Sequence, residues 1–289
     1  MSDFTGRHAV VTGGASGMGF AAAERFATLG ARVTMLDHDA GRLLAAQRRL
    51  EDRGFAINAA TCDVRSEVEV DDTFTEAEER LGPVRILAAA AGVLDGTLTL
   101  DSAAPEVWHR VLDVNLTGVY LTNRRAADSM RRAGVGGRIV NWSSLASAIG
   151  LRGYAAYCAS KGGVESLTRV LAVELGPYGI TVNALVLGPV ATPMIGIGTE
   201  GDRSREDLPV GRVAEPEEVA EVAAFVASDA CTFMTGTCLE FSGGLGAARG
   251  SFPLDVLATR VRVLHGREVD PSLLGQAGSI DPGRTRLKE

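Results

Sequence analysis

Apolar and polar positions follow two different periods along the first 245 residues of the chain. Short β-branched runs, several apolar at nearly every position, predict strands at 8–12, 31–37, 56–63, 84–92, 137–144, 180–188 and 238–244. The longer stretches between them predict helices at 17–29, 40–53, 66–81, 105–133, 155–177 and 215–228. This alternation indicates an α/β fold, a doubly wound and mainly parallel seven-stranded sheet with helices on both faces. Strands that are apolar throughout suit a sheet buried on both sides.

The strand and helix rhythm stops after residue 245, where Gly, Pro, Ser and charged residues become denser. We therefore predict one domain over 1–245 and a C-terminal extension over 246–289. Within the extension, Leu254, Leu257, Val261 and Leu264 recur at helical spacing and predict a helix at 253–265, followed by a flexible end. The stretch TRVRVLH also alternates, so an edge strand stays open as the alternative.

Composition and charge exclude several classes of function. The net charge is −7 and no run of basic residues occurs, which argues against nucleic acid or an anionic membrane as a partner. Neither a secretory signal nor an apolar run of about 20 residues is present, so we expect a cytoplasmic protein. The four cysteines have no metal-ligand spacing and no disulfide-rich density, so no metal site is predicted and a reducing compartment is expected.

A glycine-rich turn follows the first predicted strand and opens the first predicted helix. In TGGASGMG, the glycines at 13, 17 and 19 would let the backbone approach a bound pyrophosphate at a helix N-terminus. Asp37 ends the second strand, 20 positions after Gly17, where an acid can accept hydrogen bonds from an adenosine ribose. The alternative for Asp37 is a cap for the helix at 40–53, but the spacing favours ribose binding. Asp63, which ends the third strand, could bind the adenine amino group or cap the next helix.

The pentapeptide YCASK places Tyr157 and Lys161 one helical turn apart on the same face. A nearby ammonium favours the phenolate, so Lys161 is expected to lower the pKa of Tyr157 and prepare it for proton transfer. Taken alone, the pair is equally typical of an amphipathic helix with one aromatic residue and one solvated lysine.

Taken together, these motifs resemble the short-chain dehydrogenase/reductase family over about residues 5 to 245. The segments TGGASGMG, CDV, DVNLTG, IVNWSS, YCASK and LGPVATPM occur in the order and at the separations of that family. The resemblance implies a Rossmann-type fold and a catalytic set of Asn115, Ser144, Tyr157 and Lys161. Ser144 is preferred to Ser143 because the family serine lies 13 residues before the tyrosine.

The resemblance also assigns roles to this set. Tyr157 would exchange a proton with the substrate while hydride moves to or from nicotinamide, and Ser144 would stabilise charge on the substrate oxygen. Lys161 would bind the nicotinamide ribose, and Asn115 would connect Lys161 to solvent through a water. As an alternative, Asn115 is a polar residue that distorts its helix.

A nicotinamide cofactor is implied by the same resemblance, and NAD is expected rather than NADP. Asp37 would repel a 2′-phosphate, and Ser16 and His38 offer no dependable positive charge beside it. The expected cofactor-binding residues are Gly13, Ser16, Gly17, Met18, Gly19, Asp37, Asp63, Val64, Ala91, Gly92, Tyr157, Lys161, Pro189, Val190 and Thr192.

One segment departs from the family pattern. After the fourth strand the family has N-N-A-G, whereas this chain has Ala89-Ala90-Ala91-Gly92. Alanine cannot brace neighbouring strands through a side-chain amide, so we expect either a local loss of stability or a replacement partner.

The leading hypothesis is an NAD-dependent oxidoreductase acting on a secondary alcohol or ketone. The expected substrate pocket is mainly apolar and contains Leu145, Ile149, Met194, Ile195 and Ile197. Two alternatives stay open: a 3-oxoacyl-thioester reductase of lipid metabolism and a nucleotide-binding protein without catalysis. Family members commonly pair through the helices at 105–133 and 155–177, so a homotetramer or homodimer is expected.

Overall fold

The computed structural model describes residues 3–94, 104–195 and 208–247. Seven strands form one sheet: β1 (His8–Thr12), β2 (Arg32–Asp37), β3 (Ile57–Thr61), β4 (Val84–Ala89), β5 (Gly137–Ser144), β6 (Ile180–Leu187) and β7 (Cys238–Phe241). The α-helices are α1 (Gly17–Thr28), α2 (Ala40–Glu51), α3 (Glu67–Leu81), α4 (Pro105–Leu112), α5 (Gly118–Ala133), α6 (Ala155–Leu175) and α7 (Pro216–Val226). The predicted helix at 253–265 lies outside the described residues, and the division at 245/246 stays a prediction.

The strand order is β3-β2-β1-β4-β5-β6-β7, and every neighbouring pair is parallel. The doubly wound sheet is therefore confirmed, and within the described residues it is wholly rather than mainly parallel. The chain reverses its direction of winding between β1 and β4, and at such a switch point the carboxyl ends of the strands leave a crevice for a ligand.

Two apolar layers cover the two faces of the sheet. One layer packs buried residues of α1, α2 and α7, such as Phe26, Leu50 and Val219, against the strands. The other layer does the same with α3, α5 and α6, through residues such as Phe74 and Met130. Helices thus lie on both faces, and the strands between them are shielded from water.

Local signals fix several helix ends. Asp39 caps α2 by accepting a hydrogen bond from the Arg42 amide at 3.0 Å, and Ser66 caps α3 by accepting one from the Glu69 amide at 3.2 Å. Pro216 is at the start of α7, where its missing N–H costs nothing. Among the described residues no helix is both long and apolar enough to cross a lipid bilayer.

Some predicted boundaries were wrong. The helix predicted at 105–133 is divided into α4 and α5 by a π-helical segment, Asp113–Thr117. Strand β4 ends at Ala89 rather than residue 92, because β1 stops pairing with it at the Thr12–Ala89 register. Strand β7 ends at Phe241 rather than 244, where its pairing with Leu187 of β6 also ends.

The two edges of the sheet differ in the length of their connections. At the amino edge, most connections from a helix to the next strand have five residues or fewer, as at 29–31, 82–83 and 134–136, although the one at 227–237 has eleven. At the carboxyl edge the connections include the longer segments 90–104, 145–154 and 188–215.

Candidate active site

The glycine-rich turn at the carboxyl end of β1 is packed too closely for any larger residue. A Cβ on Gly13, which has φ +66°, would lie 2.9 Å from the backbone of Ala91. A Cβ on Gly19 would lie 2.1 Å from the carbonyl oxygen of Gly13. The first turn of α1 is therefore held directly against the turn, and its amide groups face the crevice at the switch point.

A cavity of about 620 Å³ opens at this point. Ten of the residues expected to bind the cofactor line it: Gly13, Ser16, Gly17, Met18, Asp37, Asp63, Val64, Ala91, Gly92 and Thr192. Gly19, Pro189, Val190, Tyr157 and Lys161 do not line it. Gly19 lies beneath the turn, and the backbones of Pro189 and Ala191 pair with Ala214 at 3.1 and 2.8 Å, with Val190 between them.

Asp37 lies in the wall of the cavity, where only 11 % of its side chain is exposed. One carboxylate oxygen accepts a hydrogen bond from the Ala15 amide at 3.2 Å, and the other accepts one from the Asp39 amide at 3.1 Å. Since Asp39 is the cap of α2, the capping alternative for Asp37 was wrong. The carboxylate is instead fixed beside the glycine-rich turn.

Asp63 also lines the cavity, but its carboxylate is already engaged. The guanidinium of Arg65 donates to it from Nε at 2.9 Å and from Nη2 at 2.6 Å. These bonds hold the pKa of Asp63 below its ordinary value. Ser66 rather than Asp63 caps α3, so the capping alternative was wrong here as well.

Ser144, Tyr157 and Lys161 meet beside the cavity. The Tyr157 phenol is hydrogen-bonded to Ser144, and the Nζ of Lys161 lies 5.7 Å from the centre of the Tyr157 ring. A Cβ on Gly92, a residue of the cavity wall, would lie 3.7 Å from that Nζ. The group therefore borders the cavity on the β4–β5 side, across the switch point from Asp37.

The electrostatics of this group differ from the expectation. Burial raises the pKa of Tyr157, and the hydrogen bond from Ser144 offsets this only in part. Lys161 does not lower that pKa, because its Nζ donates to the Trp142 carbonyl at 2.8 Å and burial lowers the pKa of Lys161 itself to about 8. A buried ammonium and a buried phenol each favour the neutral form.

Asn115 is fully buried in the π-helical segment between α4 and α5. Its Oδ1 accepts a hydrogen bond from the Val93 amide at 2.8 Å, and its Nδ2 donates to the Val93 carbonyl at 2.9 Å and to Ser160 Oγ at 3.3 Å. The helix is distorted at this residue, as the alternative interpretation proposed. The water link to Lys161 stays a prediction; Asn115 and Lys161 both flank Gly92.

The two serines at the end of β5 point to different partners. Ser143 Oγ is buried, and its one proton is shared between Glu165 Oε1 at 3.1 Å and the Lys161 carbonyl at 3.2 Å. Ser144 Oγ accepts from the Ala146 amide at 3.2 Å and bonds Tyr157. The geometry supports the preference for Ser144, since adjacent strand residues face opposite sides.

The missing asparagine at position 89 has a replacement partner. Thr12 Oγ1 accepts a hydrogen bond from the Ala91 amide at 3.1 Å and so ties the end of β1 to the chain beyond β4. Ala89 is buried in the apolar layer on one face, and Ala90 packs against the layer on the other. The brace between neighbouring strands is thus supplied by a hydroxyl and apolar contacts.

Only part of the expected substrate pocket is accessible. Met194 lines the cavity and is 43 % exposed, and Ile195 is also exposed. Leu145 is buried and belongs to the core, whereas Ile197 lies outside the described residues. Thr192 packs its methyl group beside Gly17, which brings the segment after β6 to the glycine-rich turn.

Sequence reasoning missed several residues of the cavity wall. These are Ala15, Cys62, Arg65, Ala90, Val93, Leu94, Arg110, Val114 and Pro193. Most directly follow or precede a predicted site residue, so adjacency to the strand ends could have found them. Arg110 lies on α4 and carried no such signal.

Comparison with known proteins agrees with this architecture. A family model described as enoyl-(acyl carrier protein) reductase, one of the short-chain dehydrogenase/reductase models, matches residues 13–246. The chain is 39 % identical over 247 residues to cis-4-hydroxycyclohexanecarboxylate dehydrogenase of Sinomonas cyclohexanicum, covering 84 % of this chain and 98 % of that protein. It is 37 % identical to D-threitol dehydrogenase of Mycolicibacterium smegmatis, covering 83 % and 92 %.

A solved structure shares both fold and sequence. The crystal structure of a short-chain type dehydrogenase/reductase from Mycobacterium marinum superposes with a TM-score of 0.79 at 29 % identity, covering 84 % of this chain and 96 % of that one. With the family model spanning most of the chain and relatives above 30 % identity, the protein belongs to the short-chain dehydrogenase/reductase family of oxidoreductases.

Proposed function

We propose that this protein is an NAD-dependent oxidoreductase that interconverts a secondary alcohol and a ketone, with Ser144, Tyr157 and Lys161 as its catalytic residues. The observation that carries the proposal is the meeting of these three side chains beside a cavity that Asp37 lines across the switch point. A polar triad at that place serves proton transfer, whereas a protein that only binds nucleotide has no use for it.

The residues present fit a dinucleotide cofactor. The glycine-rich turn at the N-terminus of α1 suits a pyrophosphate, and Asp37 suits the two hydroxyls of the adenosine ribose. When bound, nicotinamide supplies the acceptor or donor of hydride. Gly13, Gly17 and Asp37 would hold it at one end, and Lys161 would bind near the ribose of the nicotinamide.

In the reaction, Tyr157 exchanges the proton. During oxidation its phenolate accepts the proton of the substrate hydroxyl, and during reduction its phenol returns one to the carbonyl oxygen. Ser144 Oγ hydrogen-bonds the same substrate oxygen and stabilises its developing charge. Lys161, whose Nζ is held by the Trp142 carbonyl at 2.8 Å, would bind the ribose beside nicotinamide, and Asn115 holds the Val93 backbone of the cavity wall.

The preference for NAD over NADP follows from charges around the ribose site. Asp37 would lie against the 2′-phosphate of NADP, and desolvated like charges repel. Two arginines line the cavity nearby, but Arg42 is paired with Asp39 at 3.1 Å and Arg65 with Asp63 at 2.6 Å. In the described contacts each of these guanidinium groups binds a carboxylate, so neither is directed toward the position of a 2′-phosphate.

A secondary alcohol is supported as the substrate class by the relatives. The 4-hydroxyl of a cyclohexanecarboxylate is on a ring carbon, so the relative from Sinomonas is named for a secondary alcohol. A relative from Streptomyces coelicolor that is 36 % identical and is named a putative ketoacyl reductase favours a 3-oxoacyl thioester as the second candidate. Such a reductase would normally use NADP and would have a basic surface that binds an acidic carrier protein. Asp37 argues against the use of NADP.

The test is a cofactor and substrate matrix. The purified protein is assayed for NADH and NADPH formation with cyclic secondary alcohols, 4-hydroxycyclohexanecarboxylates and polyols, and for NADH and NADPH oxidation with ketones and acetoacetyl thioesters. We expect turnover with an alcohol and NAD, with kcat/KM favouring NAD by about 100-fold or more. Equal use of both cofactors would contradict the role of Asp37, and activity confined to thioesters would favour the second candidate.

Two variants sharpen the test. Asp37→Ser removes the repulsive carboxylate and should narrow the NAD preference by raising kcat/KM for NADP. Tyr157→Phe keeps the ring and its packing but lacks the transferable proton, so it should bind NAD normally and lose nearly all turnover. If the phenylalanine variant keeps more than a few per cent of the wild-type rate, Tyr157 does not transfer the proton.

A further inference from the structure

A largely buried carboxylate lies behind the catalytic group and has no part in the mechanism above. Glu165 lies on α6, one turn after Lys161, and only 14 % of its side chain is exposed. It does not line the cavity. A carboxylate in this position loses most of its hydration, so the contacts that replace water indicate its role.

The contacts of Glu165 are concentrated on one oxygen. Oε1 accepts hydrogen bonds from two hydroxyls, that of Ser143 at 3.1 Å and that of Ser147. The other oxygen, Oε2, is 3.3 Å from Arg169, a partner that is itself 55 % exposed. The Cys238 thiol also hydrogen-bonds Glu165.

The two serines lie on either side of Ser144 in the chain. Ser143 is the residue before it on β5, and Ser147 ends the short 3₁₀ turn Leu145–Ser147 that directly follows it. The one proton of Ser143 Oγ is shared between Glu165 Oε1 and the Lys161 carbonyl, which lies 3.2 Å away. The strand end that presents Ser144 is therefore tied at both sides to the helix that carries Tyr157 and Lys161.

We propose that Glu165 is a positioning residue, which acts through Ser143 and Ser147 to fix the Ser144 hydroxyl opposite the Tyr157 phenol. The inference rests on the proposed function. Hydrogen bonds to an ionised acceptor are about twice as strong as neutral ones, so one carboxylate oxygen can hold two hydroxyls in place. Without it, the hydrogen bonds described for the turn after Ser144 are its own internal ones, donated by the amides of Ala146, Ala148 and Ile149.

The decisive comparison is between two substitutions of Glu165 in the full chain. Glu165→Ala removes the acceptor, and we expect kcat to fall about 10- to 100-fold with little change in the affinity for NAD, because a small misplacement of a reacting group has that cost. Glu165→Gln keeps an Oε1 that both serines can reach and should recover most of the rate. Arg169→Ala, which removes the other partner of the carboxylate, is the matched control and should keep the wild-type kcat.

A double-mutant cycle with Ser144 separates positioning from general stabilisation. If Glu165 acts through Ser144, the Ser144→Ala/Glu165→Ala variant should be no slower than Ser144→Ala alone. Full additivity of the two losses would overturn the proposal, and so would an unchanged kcat in Glu165→Ala. If Glu165→Ala fails to fold, Ser147→Ala removes one of the two hydroxyl contacts and should reduce kcat in the same direction.

A readout that does not need turnover keeps the inference distinct from the proposed function. Hydrogen exchange of the peptide covering 144–150 should be faster in Glu165→Ala than in wild type and unchanged in Glu165→Gln. Equal exchange rates in the wild type and both variants would overturn the proposal that Glu165 positions Ser144. If Glu165→Ala exchanges faster but the wild-type protein oxidises no alcohol, the result would count against the proposed function and not against the positioning role of Glu165.

Discussion

Lys161 places a positive charge where almost no water reaches it. Its side chain is 5 % exposed, and burial lowers its pKa from 10.5 to about 8. A lysine whose pKa falls on folding destabilises the folded state at neutral pH, because the unfolded chain hydrates the ammonium better. At about 1.4 kcal/mol per pKa unit the cost is on the order of 3 kcal/mol.

Replacing that charge should therefore stabilise the protein and inactivate it. We expect Lys161→Met to raise the melting temperature at pH 7 by about 5–10 °C while turnover is lost. The difference in melting temperature between the variant and the wild type should shrink as pH rises from about 8 to 10.5. Over that range wild-type Lys161 becomes neutral, first in the folded and then in the unfolded chain. Scanning calorimetry across pH measures this, with the exposed Arg169→Met as control; a lower melting temperature for Lys161→Met would contradict it.

In the proposed mechanism, Tyr157 sets the pH dependence of the two reaction directions. Oxidation would need the phenolate, and burial raises the pKa of Tyr157, so the active fraction would be small at neutral pH. We expect kcat/KM for oxidation to rise about tenfold per pH unit between pH ~6 and pH ~8. Reduction, which needs the phenol, should be flat over that range. An oxidation profile that is also flat would show that Tyr157 is not the base.

At the residue scale, the sequence was enough to predict which residues come together at the candidate site, but not the direction of their pKa shifts. Spacing alone found Asp37, and the family resemblance chose Ser144 over Ser143. The direction of the pKa of Tyr157 was wrong, because the sequence shows that a lysine is near but not that its ammonium binds the Trp142 carbonyl. Glu165 could not be identified from the sequence, since its proposed role depends on two serine hydroxyls about 20 residues away along the chain.

The π-helical segment Asp113–Thr117 shows what one element contributes to the site. Its irregular turn presents Asn115 to the Val93 backbone, which has no strand partner beyond the end of β4. The predicted helix at 105–133 ran through this point without interruption. Apolar periodicity reports which face of a helix is buried, and a single wider turn hardly changes that pattern.

Loss of the Asn115 amide should loosen this wall of the cavity. In Asn115→Ala the amide and carbonyl of Val93 lose their partners, each at a cost of about 1–3 kcal/mol. We expect a lower urea midpoint and weaker NAD binding. Thr117→Ala, an exposed position in the same segment, is the control and should unfold as the wild type does. Coincident unfolding curves for both variants would mean that the Val93 contacts contribute nothing.

At the scale of the whole molecule, the parallel sheet gathers distant residues at one edge. The site draws on different parts of the chain, and each part lies at or just beyond the carboxyl end of a strand: the glycine-rich turn, Asp37, Asp63 and the end of β5. The alternation of strands and helices was enough to predict that edge. It could not predict the strand ends, because a run such as 88–91 stays apolar after pairing with β1 has ended.

We also predict that the whole molecule forms a homodimer or a homotetramer. Large apolar side chains are exposed on the helices expected to pair, among them Trp108 on α4, Tyr120 on α5, and Val170 and Val173 on α6. Light scattering at micromolar concentration should give a multiple of the 30.2 kDa chain mass. Tyr120→Lys/Val173→Glu should shift the mass toward the monomer, whereas Glu174→Ala, an exposed neighbour, should not. A monomeric wild type would contradict the prediction.

The unequal edges of the sheet bear on how this enzyme could be redesigned. Most connections at the amino edge have five residues or fewer, and they lie at the opposite edge of the sheet from the candidate site, so mutations there should alter stability rather than substrate choice. The segment 145–154 joins Ser144 to the helix that carries Tyr157 and does not line the cavity expected to bind the cofactor. A mutant library confined to this segment should therefore change which alcohol is accepted while leaving cofactor use intact. The relatives are named for different alcohols, which agrees with substrate choice and cofactor binding being determined by different segments.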